Sequence, residues 1–206
     1  MDRMDGKLNI IYLEDNIKDA EIANNEFNET MKFLIEQGFR EKIGFGEINM
    51  IRIPGSDHMQ ERGKVYQFYI ENDFKEIDKQ IKEFSNNEER IGILMDVILA
   101  KEEQERAKIN DFSRIQFSKR VFEKYERDYG IYIITSLRNF GSRAWGIYGY
   151  EGLINRYIPK ALVDAYPSRK AMAKALYWMY YRKQMEPELA DEIEECELKE
   201  KREGRR

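Results

Sequence analysis

Apolar residues in this chain fall into short unbroken runs separated by longer stretches of helical period. Residues 8–13 (LNIIYL), 91–95 (IGILM) and 131–134 (IYII) are apolar at nearly every position, the pattern of a strand buried on both faces. Between about Lys18 and Gln37, Ala20, Ile22, Ala23, Phe27, Met31, Phe33, Leu34 and Ile35 recur at helical spacing, and Gly38 and Gly44 end that pattern. INMIRI at 48–53 reads as a strand stopped by Pro54-Gly55, and KVYQFYI at 64–70 as another, the two forming a hairpin at a sheet edge. A helix is expected from about Phe74 to Phe84, with Ile77 and Ile81 on one face, then a turn at Asn86-Asn87 before the strand at 91–96. Further on, helices are expected at about Phe112 to Arg127 and Ser142 to Tyr150, with strands at 131–135 and 153–158. A last helix spans about Ser168 to Met185, with Ser168 as its cap after Pro167. Strand and helix alternate, which predicts a parallel sheet covered on both faces by right-handed crossovers. No internal repeat is visible.

The last stretch, 186–206, is almost entirely charged, with Leu189, Ile193, Cys196 and Leu198 as its main apolar residues. Their spacing is near helical, so the tail reads as a marginal helix or as disorder. Across all 206 residues, 42% are hydrophobic and 36% charged, enough apolar material for a core beneath a heavily solvated surface. A net charge of -4 gives no general attraction to nucleic acid. The N-terminus has no apolar signal segment and no run reaches membrane length, so the expected compartment is the cytoplasm. One cysteine, Cys196, and one histidine, His58, exclude a disulfide framework, a Cys/His metal cluster and a Cys–His nucleophile pair. Neither GxxxxGK[ST] nor a strand-linked GxGxxG is present.

Four of the strand-like segments end on a polar residue able to do chemistry: Glu14-Asp15, Asp96, Thr135-Ser136 and Lys160. In open α/β sheets ligands bind beyond the carboxyl ends of the strands. Side by side, Glu14, Asp15 and Asp96 would bring three carboxylates into one pocket, an unfavourable arrangement without a cation. Mg²⁺ fits such a set, being hard, oxygen-seeking and commonly held by carboxylates, waters and a phosphate.

An acid pair, a single Asp, a hydroxyl and a Lys, in that order at strand ends, resemble the receiver domain of two-component response regulators. Tyr157, three residues before Lys160, stands where receivers carry a switch aromatic, and the 25 residues from Thr135 to Lys160 are close to the family's spacing. The resemblance implies a doubly wound, five-stranded parallel sheet of flavodoxin-like order 2-1-3-4-5. It spans a domain at 1–185 with insertions around 38–70 and 99–111. It also implies roles. Asp96 accepts a phosphoryl group; Asp15 binds Mg²⁺ directly, Glu14 acts through water, and the Ile98 carbonyl is a further ligand. Lys160 pairs with Asp96 or the phosphoryl oxygens, Thr135 bonds the phosphoryl group, and Tyr157 turns with it. The family's Pro four residues after the nucleophile is Ala100 here, the Gly that usually follows a little later gives way to Gln104, and Ala161 follows Lys160 in place of Pro.

Blander readings stand beside these. Asp15 and Asp96 could cap the next helix or turn, Thr135-Ser136 could cap a helix, Lys160 could be a surface lysine and Tyr157 a packed aromatic. Past Lys160 only one helix and the tail remain, too little for a separate output domain. A receiver would therefore act through a protein partner on the face of its fourth helix, fifth strand and fifth helix. Trp145, Tyr148, Tyr150, Trp178 and Tyr181 would be the anchors. The partners implied are a sensor histidine kinase or phosphotransfer protein upstream and an unidentified protein downstream, without direct nucleic-acid or membrane binding and with a homodimer left open. Two alternatives are a pseudo-receiver adaptor that is not phosphorylated and a Mg²⁺-dependent phosphohydrolase. The second lacks the usual Asp two residues after the nucleophile, where Ile98 stands.

Overall fold

The computed structural model describes residues 6–14, 17–53, 70–87, 89–96, 116–135, 156–159 and 168–204. Five strands form one all-parallel sheet: β1 (Leu8–Leu13), β2 (Ile48–Ile53), β3 (Arg90–Met95), β4 (Gly130–Thr135) and β5 (Tyr157–Pro159), in the order β2-β1-β3-β4-β5. That is the order expected from the sequence and is consistent with a flavodoxin-like fold. Every residue of β1 and β4 is buried, whereas β2, at the edge, is largely half-exposed. Unbroken apolar runs therefore mark the strands with a neighbour on each side and a helix layer on each face.

Six helices accompany the sheet: α1 (Ile17–Glu36), α2 (Phe39–Ile43), α3 (Ile70–Asn86), α4 (Gln116–Tyr125), α5 (Ser168–Tyr181) and α6 (Pro187–Glu203) among the described residues. The two-residue alternation of the strands divides the core in two. Leu8, Ile10, Tyr12, Leu94, Tyr132, Ile134 and Ile158 pack against α1, α2, α5 and α6. Ile11, Leu13, Ile53, Ile93, Met95, Ile131 and Ile133 pack against α3 and α4.

Helix α5 lies close on the sheet because the paired residues Gly92 and Gly130 leave room for it. A Cβ on Gly130 would stand 2.8 Å from the Met179 Cα, and one on Gly92 2.8 Å from the Met179 Cβ. At the amino-terminal edge of the sheet, the Tyr180 hydroxyl donates to the Gly6 carbonyl (2.8 Å) and accepts from the Gly46 amide (3.2 Å). Helix α5 ends at Tyr181, and Arg182 just past it has a left-handed φ of 56°.

Two expectations change. Ile70, expected to close the second strand of an edge hairpin, is the first residue of α3, and β2 pairs with β1 in parallel. Residues 64–69 lie outside the described residues, as does the helix expected at 142–150. Ile70 stands four residues before Phe74, in helical period with Phe74, Ile77, Ile81 and Phe84, and the polar Glu71, Asn72 and Asp73 between them do not alternate as a strand would.

The charged tail, expected as a marginal helix or disorder, is a docked helix of 17 residues. Ala190 and Ile193 are buried, and Leu189 and Cys196 pack against the same core. Charge directs the docking as well. Lys170 pairs with Asp191 (2.9 Å) and Glu194, Arg169 with Glu200, and Lys42 of α2 with Glu192. The fully buried Glu197 accepts long hydrogen bonds from the Arg169 and Lys170 amides (3.5 and 3.4 Å), free donors of the first turn of α5, and pairs with Lys201 at 3.0 Å. No helix among the described residues is long and apolar enough to cross a membrane.

Candidate functional site

The register of the sheet sets the site. Leu13 pairs with Met95, and the Asp96 amide donates to the Leu13 carbonyl at 3.1 Å, so Glu14 and Asp96 leave adjacent strands at the same level. Ile133 pairs with Tyr157 and Thr135 with Pro159. Glu14, Asp96 and Thr135 are all buried, at 0%, 3% and 1% exposure. Polar groups so deeply buried at strand ends are uncommon unless they are hydrogen-bonded or used.

Glu14 is held at both of its ends. The Tyr12 hydroxyl, two residues back on the same face of β1, donates to its carboxylate at 3.2 Å. On the edge strand, Arg52 donates to the Glu14 backbone carbonyl through both Nε (3.2 Å) and Nη2 (3.0 Å). Burial pushes the Tyr12 phenol well above its ordinary value, and the Glu14 and Asp96 carboxylates push it further in the same direction. Tyr12 therefore remains a neutral donor, and two carboxylates share its surroundings.

By strand alternation Glu14 and Asp96 fall on the α1/α5 side, with Tyr12 and Leu94, and Thr135 falls on the α3/α4 side, with Ile133. Glu14 and Asp96 thus share one face, and Thr135 stands at the same end of the sheet on the other. Tyr157 shares the face of Thr135 and sits one step below it on the neighbouring strand, half-buried against Ile133 and its cluster. That placement suits the packing reading of Tyr157 and its reading as a switch aromatic alike.

Asp15, the Ile98 carbonyl and Lys160 lie outside the described residues, Lys160 directly following the register partner of Thr135. Among the described residues no group of three or more His, Cys, Asp or Glu side chains could hold a metal ion. The two expected ligands that are described, Glu14 and Asp96, offer oxygen only, the donor chemistry a hard cation takes.

Of the aromatic residues expected to anchor a partner, Trp145, Tyr148 and Tyr150 lie outside the described residues. The other two have partners within the fold. Trp178 is half-buried with the Arg156 guanidinium 4.5 Å from its ring. The Tyr181 hydroxyl donates to the Ile43 carbonyl at 2.7 Å, and its ring lies 4.8 Å from those of Tyr177 and Tyr180.

Sequence reasoning missed Tyr12 and Arg52. Each carried a signal: Tyr12 is the polar-tipped residue two before Glu14, and Arg52 is the only charge in an otherwise uncharged strand. No protein-family model, no curated protein and no solved structure compared with the chain matches it.

Proposed function

We propose that the chain is a phosphorylation-responsive signalling protein of the receiver type, in which Asp96 accepts a phosphoryl group and protein–protein contacts carry the output. One observation carries the reading. Two buried carboxylates and a buried hydroxyl stand at the carboxyl ends of three adjacent parallel strands, beside the strand that leads into Lys160. Ligands gather at this edge of open α/β sheets, and the residue types are those phosphoryl transfer needs.

A carboxylate oxygen of Asp96 attacks the phosphorus of a phosphohistidine on a kinase or phosphotransfer protein, or of a small phosphodonor. The P–N or P–O bond breaks, and the donor leaves with the electron pair and takes up a proton. The product is an acyl phosphate on Asp96. Mg²⁺ held by Glu14, Asp15, Asp96 and the Ile98 carbonyl would supply charge neutralisation for the carboxylates and the phosphoryl oxygens. Lys160 would balance the remaining negative charge, and the Thr135 hydroxyl would donate to a phosphoryl oxygen. Drawing Thr135 inward would vacate space that Tyr157, one register step away, could enter, changing the β4–β5 surface offered to a downstream partner. The cytoplasm is the compartment this chemistry suits.

A second reading, a pseudo-receiver adaptor, is favoured by the burial of Glu14 and its hydrogen bond to Tyr12, which occupy part of the carboxylate that metal binding would use. Incubating the protein with a small phosphodonor and Mg²⁺ separates the two. A receiver gains one phosphoryl increment in intact mass and Asp96→Asn gains none; a wild-type protein that gains none is the adaptor.

A further inference from the structure

Arg52 belongs to the edge strand, yet its guanidinium reaches past the end of the neighbouring strand to the acidic corner of the site. It pairs in register with Tyr12 and shares its face, and it donates through Nε and Nη2 to one oxygen, the Glu14 carbonyl. Paired guanidinium donors on one acceptor fix direction as well as distance. The atom they fix belongs to the peptide joining Glu14 to Asp15, so holding that carbonyl holds the plane from which the chain leaves β1. Tyr12, the register neighbour of Arg52, donates to the Glu14 carboxylate. Strand β2 ends at Ile53 and the next residue is Pro54, which has no N–H to donate. The corner is thus tied by a side chain where the ladder stops.

We propose that Arg52 is a positioning residue of this site. It orients the Glu14–Asp15 peptide so that the acid pair can face a divalent cation. This rests on the reading of the site as a metal-assisted phosphoacceptor. A residue that orients ligands without touching the metal typically changes metal affinity by about ten- to a hundredfold. Arg52 contacts backbone and lies at the sheet edge, so the lower end of that range is expected.

The test is Mn²⁺ binding, followed by the loss of the free-ion electron paramagnetic resonance signal, on wild type, Arg52→Ala and Arg52→Lys, with thermal melting of each. Arg52→Ala is expected to weaken Mn²⁺ about tenfold. Arg52→Lys keeps the charge but not the paired donors, so it recovers only part of the loss. Ethylguanidinium added to Arg52→Ala restores most of the affinity, which a general loss of packing would not allow. Equal Mn²⁺ affinity in wild type and Arg52→Ala overturns the assignment of Arg52 while leaving the site intact. A loss that tracks melting temperature and ignores ethylguanidinium also overturns it, leaving Arg52 a structural residue. If wild type itself binds no Mn²⁺, the metal-assisted reading of the site falls, and the role of Arg52 falls with it.

Discussion

Replacing Glu197 by Ala tests whether the charged C-terminal helix is part of the folded unit. Glu197 is fully buried between α6 and the first turn of α5, where it accepts from two backbone amides and pairs with Lys201. An anion in a favourable, partly buried position at a helix N-terminus stabilises by up to about 2 kcal/mol. The amide contacts at 3.4 and 3.5 Å are long, so about half that value applies here. The Lys201 pair, at i,i+4, adds about 0.5 kcal/mol. Leaving the α5 amides without this acceptor, and a small void where the carboxylate was, brings the expected loss to about 2 kcal/mol. In a domain of this size each kcal/mol moves the melting temperature by about 2–4 °C, so Glu197→Ala should melt about 4–8 °C below wild type in a single transition. Glu197→Gln keeps an acceptor and most of the volume, so it should lose about half as much. Circular dichroism against temperature, with amide hydrogen exchange of α6, makes the measurement. An unchanged melting temperature, together with α6 amides in wild type that exchange at unprotected rates, would refute a docked helix.

Gly130→Ala would drive a methyl group to 2.8 Å from the Met179 Cα. Backbone cannot yield as a side chain does, so a loss of about 1–3 kcal/mol is expected in urea unfolding. Lys170 has a raised pKa: burial lowers it, but the hydrogen bonds and charges of Glu194 and Asp191 outweigh that. Its contribution is therefore fully present below the unfolded-state pKa of about 10.4 and is lost as pH rises through the higher folded value. Melting temperatures from pH 9 to 12 should fall more steeply in wild type than in Lys170→Met. Asp15→Asn should abolish Mn²⁺ binding if Asp15 is a direct ligand, and unchanged affinity in calorimetry would remove it from the ligand set.

The sheet was legible because burial on both faces leaves an unmistakable mark. LNIIYL, IGILM and IYII carry no alternation, and each became a strand with a neighbour on either side. Strand order came from the resemblance of the four strand-end segments to receiver domains, since periodicity marks strands without ordering them. The hairpin expectation at 64–70 rested on β-branched and aromatic content, and at Ile70 the period of the following helix prevailed. The tail was hard to read because its stability comes from partners remote in sequence. Glu192, Glu194 and Glu200 look like a solvated charge run until Lys42, Lys170 and Arg169 are placed opposite them. Arg52 offered only its lone charge as a signal, because its acceptor is a backbone carbonyl 38 residues away and no spacing rule points to a carbonyl.

The most direct test of the phosphoacceptor reading is to locate the phosphoryl group. The protein is incubated with Mg²⁺ and a small phosphodonor, reduced with borohydride, which converts an acyl phosphate to an alcohol, and mapped by peptide mass spectrometry. The expected result is homoserine at position 96 in wild type, dependent on both Mg²⁺ and the donor, and none in Asp96→Asn. Unmodified Asp96 under conditions that label a control acyl-phosphate protein, or labelling at another carboxylate, would contradict it.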